Sequence, residues 1–305
     1  ILDLDPERVE TITILKDAAA TSVYGSRAAN GVVVVETKVA PDGDLSVSYN
    51  GTMTVQTPDL TDYNMMDAAT KLDTEWRAGL YNPASASDMN LYNRYRRNVL
   101  GGVDTYWLSK PLRTAFQHRH SASVSGGTEV FRYSLDINAA MQPGVMKESA
   151  NNTKGVNFNM SYMKEKFIMR ANVSLNESNS SNSPYGSFSQ YTRLNPYYIP
   201  EDANGNQQKV LDNNTVSGQS TIITNPLYDA TLGIKDLNNS LNMTTSLNLE
   251  YMVLRNLRIT EQLSYTRGMA GTDKFLPADH TSFELEDDLT RKGSYFKSTG
   301  EMTSW

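Results

Sequence analysis

The chain has 305 residues, a formal net charge of −6 and no cysteine, with a pI near 5.2 and a mean hydropathy of −0.49. There is no basic footprint for nucleic acid, and disulfides and thiolate metal sites are excluded. No run approaches the roughly 20 apolar residues of a membrane helix. That leaves open a membrane strand, which needs only about 9–11 residues with one apolar face. Tyrosines outnumber phenylalanines 17 to 8, as suits an interfacial aromatic belt, though a secreted β-sandwich shares the bias. The opening residue, Ile1, is not Met, and no apolar leader precedes the first charges, so the sequence reads as a piece of a longer one.

The first 38 residues form a small mixed α/β pattern. Val9 to Leu15 alternates as a strand. Asp17 is placed to cap a short helix through Ala18, Ala19 and Ala20 to Tyr24, with Gly25 as its stop. Val32 to Val35 reads as a short strand buried on both faces. The unit is too small to hold a core of its own.

From Leu45 the period changes to two and stays there. Leu45, Val47, Tyr49, Met53 and Val55 share one face, and Ser46, Ser48, Asn50, Thr52 and Thr54 the other. The same alternation predicts strands around Phe131–Ala139, Val156–Tyr162, Phe167–Leu175, Leu241–Tyr251 and Leu257–Tyr265, a weaker one over 117–125, and a last one ending at Trp305. The predicted fold is mainly β, with about eight antiparallel strands.

Predicted turns are tight at 126–129, 164–166 and 254–256. Between them lie longer stretches at 58–116, 142–155, 178–240 and 268–293. Short turns at one end and long loops at the other are characteristic of an outer-membrane barrel. Helical spacing recurs inside the first long stretch, over 65–79 and 88–100. The third contains Asn195-Pro196-Tyr197-Tyr198-Ile199-Pro200, an aromatic segment stiffened by proline.

The stretch from Leu15 to Lys38 reads LKDAAATSVYGSRAANGVVVVETK. It closely resembles the closing segment of the plug domain in SusC/RagA-type, TonB-dependent outer-membrane transporters. It departs from the family pattern at Ala28, where Gly is common, and at Glu36, where Thr is common. Further stretches agree: Ser123 to Glu129 resembles the family's first periplasmic turn, Gln142 to Lys147 its next loop, and Arg193 to Tyr198 with Pro200, Asp202, Asn204 and Gly205 a recurrent loop. The resemblance implies a transmembrane antiparallel β-barrel of about 22 strands, of which this chain holds about eight. Residues 1–38 would be the C-terminal part of the plug and 39–305 the N-terminal part of the barrel. It also implies active import of oligosaccharides, other glycans or peptides across the outer membrane of a Gram-negative bacterium. The implied partners are a SusD-like surface lipoprotein, the TonB–ExbB–ExbD complex and outer-membrane lipid, with no nucleic acid and no cofactor.

On this resemblance Lys16, Asp17, Tyr24, Gly25, Arg27, Asn30 and Gly31 belong to the plug-seating motif. Arg27 and Asn30 are candidates to hydrogen-bond the lumen wall, the alternative being that Asn30-Gly31 is only a tight turn. Tyr185, Phe188, Tyr191, Tyr197 and Tyr198 are candidates to stack on sugar rings, the alternative being that they pack the loop onto itself.

Other signals point away from chemistry. His118 and His120 share a strand face, but with only His280 besides and no carboxylate pattern their spacing reads as coincidence, and no metal site is expected. Asp202, Asn204 and Asn206 have the first spacings of a calcium loop without its later Gly and Glu, so a polar turn is the reading and an outer-loop calcium the alternative. Glu284, Glu286, Asp287 and Asp288 read as solvated loop. No phosphate loop, nucleophilic triad or zinc motif is present, and no carboxylate pair is set across a cleft as a glycosidase needs, so the chain is not expected to be an enzyme. The competing non-enzymatic reading is a soluble or surface glycan-binding β-sandwich, in which the apolar face would be core.

Overall fold

The computed structural model describes residues 9–16, 31–37, 43–216 and 219–305. The N-terminal pattern yields a two-stranded antiparallel ribbon of β1 (Val9–Leu15) and β2 (Val32–Thr37). Ile12, Ile14 and Val33 are exposed. The valine strand is therefore not buried on both faces, because no described residue covers the ribbon. The helix expected from Ala18 to Tyr24 lies outside the described residues.

Eight strands form one antiparallel sheet: β3 (Gly43–Gln56), β4 (Ala115–Gly127), β5 (Phe131–Pro143), β6 (Ala150–Lys164), β7 (Phe167–Ser181), β10 (Lys235–Leu254), β11 (Leu257–Leu276) and β12 (Ser294–Ser304). Each pairs with its sequence neighbour in the sheet. Besides the β1–β2 ribbon, β8 (Val210–Val216) and β9 (Gln219–Thr224) stand apart from this sheet, as a hairpin inside the loop between β7 and β10.

Residues directly opposite in an antiparallel pair share a face, so the register turns sequence alternation into rows. One row runs Ser48, Ser123, Asp136, Asn157, Ser174, Thr244, Thr266, Ser304 across all eight strands. The row beside it, on the opposite face, runs Val47, Val124, Leu135, Phe158, Val173, Thr245, Tyr265. Toward the short turns the apolar face ends in aromatics: Phe131, Tyr162, Phe167 and Tyr251. From Tyr251 to Leu241 is ten residues, about 34 Å along a strand. At a barrel tilt of about 40° this is about 26 Å of height, which matches the roughly 25 Å apolar band of an outer-membrane barrel.

No second layer covers this apolar face among the described residues. Leu45, Ile137 and Leu263 are 64%, 49% and 53% exposed. A sandwich core would require the reverse.

The loop ends are sorted as expected, with connections at 128–130, 165–166 and 255–256 at one end of the sheet. At the other end lie 57–114, 144–149, 182–234 and 277–293. One expectation is corrected. The stretch 142–155 is mostly strand, joined by a six-residue turn at 144–149, and 178–240 and 268–293 also lose residues to strands. Beyond the apolar band both faces carry polar side chains: Asn151, Asn152, Asn179 and Ser180 pair in the ladder without alternating in polarity.

Candidate functional site

The hydrophobic core of this chain lies in its loops rather than on its sheet. The loop after β3 carries two helices. α1 (Ala68–Arg77) starts where Asp67 accepts a hydrogen bond from the Thr70 amide, and α2 (Ala86–Leu100) where Ser85 accepts from the Asp88 amide. Their inward residues Leu72 and Tyr95 join Tyr81, Trp107, Leu108, Tyr191, Tyr197, Tyr198 and Leu227 in one buried cluster. Two loops separated by four strands thus share one core.

Polar groups inside this cap are satisfied. Glu75 is buried and accepts hydrogen bonds from Tyr81 Oη at 2.8 Å and Tyr197 Oη at 2.9 Å, with Lys71 Nζ at 3.2 Å. Asp212, also buried, accepts from the Tyr95 hydroxyl and pairs with Arg94. The Trp107 indole donates to the Asn195 carbonyl at 2.9 Å, and the Thr105 amide to the Pro196 carbonyl at 2.7 Å. The loop 277–293 is tied in by Lys209–Glu284 at 2.7 Å and by the Thr281 amide donating to Asp229 Oδ1 at 2.9 Å. Burial holds the phenols of Tyr81, Tyr95, Tyr191 and Tyr197 well above the ordinary tyrosine range and pushes Tyr198 up to about 12.

Below the cap, the polar face of the sheet is crossed by side-chain hydrogen bonds between neighbouring strands. Asn172 Nδ2 donates to Asn157 Oδ1 at 3.0 Å and Asn159 Oδ1 at 2.7 Å. Asn159 Nδ2 donates to Ser134 Oγ at 3.1 Å, and Ser123 Oγ to Asp136 Oδ1 at 2.6 Å. At Gly155 a Cβ would sit 2.7 Å from the side-chain amides of both Asn138 and Asn176. The missing side chain is what lets these amides close over the strand. A wall of amides and hydroxyls can exchange hydrogen bonds with water, with a polar plug or with a polar solute.

The predicted site residues fall into three groups. Asp17, Tyr24, Gly25, Arg27 and Asn30 lie outside the described residues. Lys16 directly follows β1, and Gly31 precedes β2 at φ +96°, where a Cβ would meet the Leu15 carbonyl oxygen at 3.1 Å. That geometry demands glycine. Tyr191, Tyr197 and Tyr198 are buried in the cap, whereas Tyr185 and Phe188 pack partly exposed against it. The first three therefore build the loop, and ring faces open to a solute come from their partly exposed neighbours. Asp202 Oδ1 is occupied by the amides of Asn204 and Asn206, which makes a polar turn of the calcium-like spacing. Trp107, Leu108, Glu75 and Asp212 were not singled out from sequence. Helical spacing over 65–79 was the available signal for Glu75, whereas Trp107, Leu108 and Asp212 lie outside the helical stretches.

No protein-family model matches the chain. Among curated proteins it is 32% identical over 150 residues to the TonB-dependent receptor SusC of Bacteroides thetaiotaomicron, a match covering 48% of this chain and 13% of that receptor. It is 28% identical over 177 residues to TonB-dependent receptor P26 of Formosa agariphila, covering 57% and 16%. Among solved structures, the RagAB peptide transporter superposes with a TM-score of 0.73 at 21% identity, over 90% of this chain and 34% of that one. The open-open state of the RagAB peptide importer gives 0.71 at 22%, over 90% and 33%. The chain thus spans about a third of the solved chains. In sequence the chain is similar to one stretch of the TonB-dependent receptor SusC and its relatives, and in fold to one stretch of the longer RagAB transporter chains.

Proposed function

We propose that the protein to which this chain belongs is an active importer in the outer membrane of a Gram-negative bacterium. The observation that carries the reading is the pair of adjacent rows through Ser48 and Val47, one polar and one apolar across the sheet. Inside a bilayer every backbone amide and carbonyl must be paired, so such a sheet has to close. Its greasy face then meets hydrocarbon, and its amide and hydroxyl face lines a wet lumen. In this reading residues 1–38 end the plug that fills the lumen and 39–305 begin the barrel. The plug-motif residues Arg27 and Asn30 bond to the lumen wall. The unpaired outer edges of β3 and β12 join strands beyond this stretch.

The cargo is a glycan or peptide too large for diffusion. Energy comes from a TonB–ExbB–ExbD complex, and a SusD-like lipoprotein covers the outer mouth, where the cap offers a prefolded platform. Tyr185 and Phe188 sit at the partly exposed margin of that platform and are the candidates for cargo contact. The resemblance favours sugars or peptides without choosing between them.

Deleting the gene and measuring uptake of labelled oligosaccharides and peptides tests this reading. Uptake of one class should vanish, and should vanish equally when the proton-motive force is collapsed. Uptake that survives collapse contradicts active import.

A further inference from the structure

On the apolar side of the sheet, one row beyond the Leu241 level, the register sets Met53 of β3, His118 of β4 and Met141 of β5 side by side. His120 lies two positions along β4 on the same face. The row continues through Asn152, Asn179 and Asn239, so in the barrel reading it stands above the hydrocarbon in water.

The two imidazoles converge. His118 Nδ1 and His120 Nε2 are 3.2 Å apart. That is close to the edge of a tetrahedron with metal–nitrogen bonds of about 2.0–2.1 Å. His120 Nδ1 lies 2.6 Å from Tyr49 Oη. With Nδ1 protonated and donating to Tyr49, the His120 Nε2 lone pair points at His118 Nδ1 and accepts its hydrogen bond, which a bound ion would replace, and the Tyr49 contact is the outer-shell arrangement usual for a metal-bound histidine. Met53 and Met141 are exposed and flank His118 at cross-strand Cβ separations of about 4.5–5.5 Å. Among the described residues no group of three or more His, Cys, Asp or Glu gathers. This set is instead half thioether, half imidazole, a soft donor set that suits Cu(I) and not Mg(II) or Ca(II).

We propose that Met53, His118, His120 and Met141 form a surface site for a soft monovalent cation, Cu(I), with Ag(I) as its redox-inert analogue. The histidine spacing alone could not show this, because the thioethers come from the neighbouring strands. The site holds the ion with no redox step. Tyr49 acts as a positioning residue.

The test is Ag(I) titration of the full-length protein in detergent, followed calorimetrically, with X-ray absorption at the silver edge. The wild type should bind one Ag(I) more than the His118→Gln/His120→Gln variant, with sulfur and nitrogen neighbours. Met53→Leu/Met141→Leu should weaken Ag(I) and leave any Zn(II) binding unchanged. Tyr49→Phe should weaken Ag(I) by about tenfold. Equal Ag(I) stoichiometry in wild type and histidine variant, or an unchanged Ag(I) affinity in the methionine variant, overturns the proposal. Heat-modifiable migration on gels confirms that each variant is a folded barrel. Transport is not the readout, so failure here leaves the import reading untouched.

Discussion

The Tyr197 hydroxyl donates to Glu75 Oε2 at 2.9 Å across 122 positions of sequence, and this contact joins the loop after β7 to the loop after β3. Tyr197→Phe removes one of three partners of a buried carboxylate, a loss of about 1–3 kcal/mol. Hydrogen exchange on the full-length protein should show α1 amides and those around 195–200 loosening together, with the β10–β11 ladder unchanged. Loosening confined to one loop would mean the two do not form one unit.

Gly127 and Gly155 should respond differently to alanine. At Gly127, φ is +141° and a Cβ would lie 2.1 Å from the Phe131 carbonyl oxygen and 2.7 Å from the Arg132 Cα. Backbone cannot step aside, so Gly127→Ala should disrupt the 128–130 turn and lower the yield of folded barrel severalfold. At Gly155 the obstacles are the ends of asparagine side chains, which can rotate. Gly155→Ala should fold at close to wild-type yield. Equal yields for the two would refute this assignment.

Leu135 lies near mid-height of the apolar band, and Asn138 is on the opposite face. Leu135→Arg should cost about 2–4 kcal/mol when the full barrel is refolded into vesicles, and Asn138→Arg far less. Urea titration reads the difference.

Tyr198 gives the cap a pH limit. Its phenol is pushed up to about 12, mainly by burial, against about 10 when unfolded. Between these values the folded form binds more protons, so the contribution is whole below about pH 10 and is lost as pH rises through 12. Tyrosinate absorbance should therefore show a late-titrating class that Tyr198→Phe diminishes.

Much of this architecture was legible in the sequence. The alternation of Phe131 through Ala139 gave the strand, its two faces and, with the tight turns, the hairpin ends. What stayed hidden follows from what alternation can encode. Asn151, Asn152, Asn238 and Asn239 are strand residues with polar partners on both faces, so nothing in their polarity marks a strand. Tyr191 and Tyr197 read as packed rather than exposed only on the general tendency of aromatics, because their partners Trp107 and Glu75 come from another loop. The Met53–His118–Met141 row needed the register of three strands, which the 57–114 loop conceals from any local reading.

The central claim is that the Val124, Leu135, Phe158 side of the sheet meets lipid and the Ser123, Asp136, Asn157 side meets water. Spin labels at single cysteines along β5 of the full-length protein in bilayers test it most directly. The account predicts oxygen accessibility at 133, 135 and 137, with access for a water-soluble nickel chelate at 134, 136 and 138. The opposite alternation, or none, would contradict it.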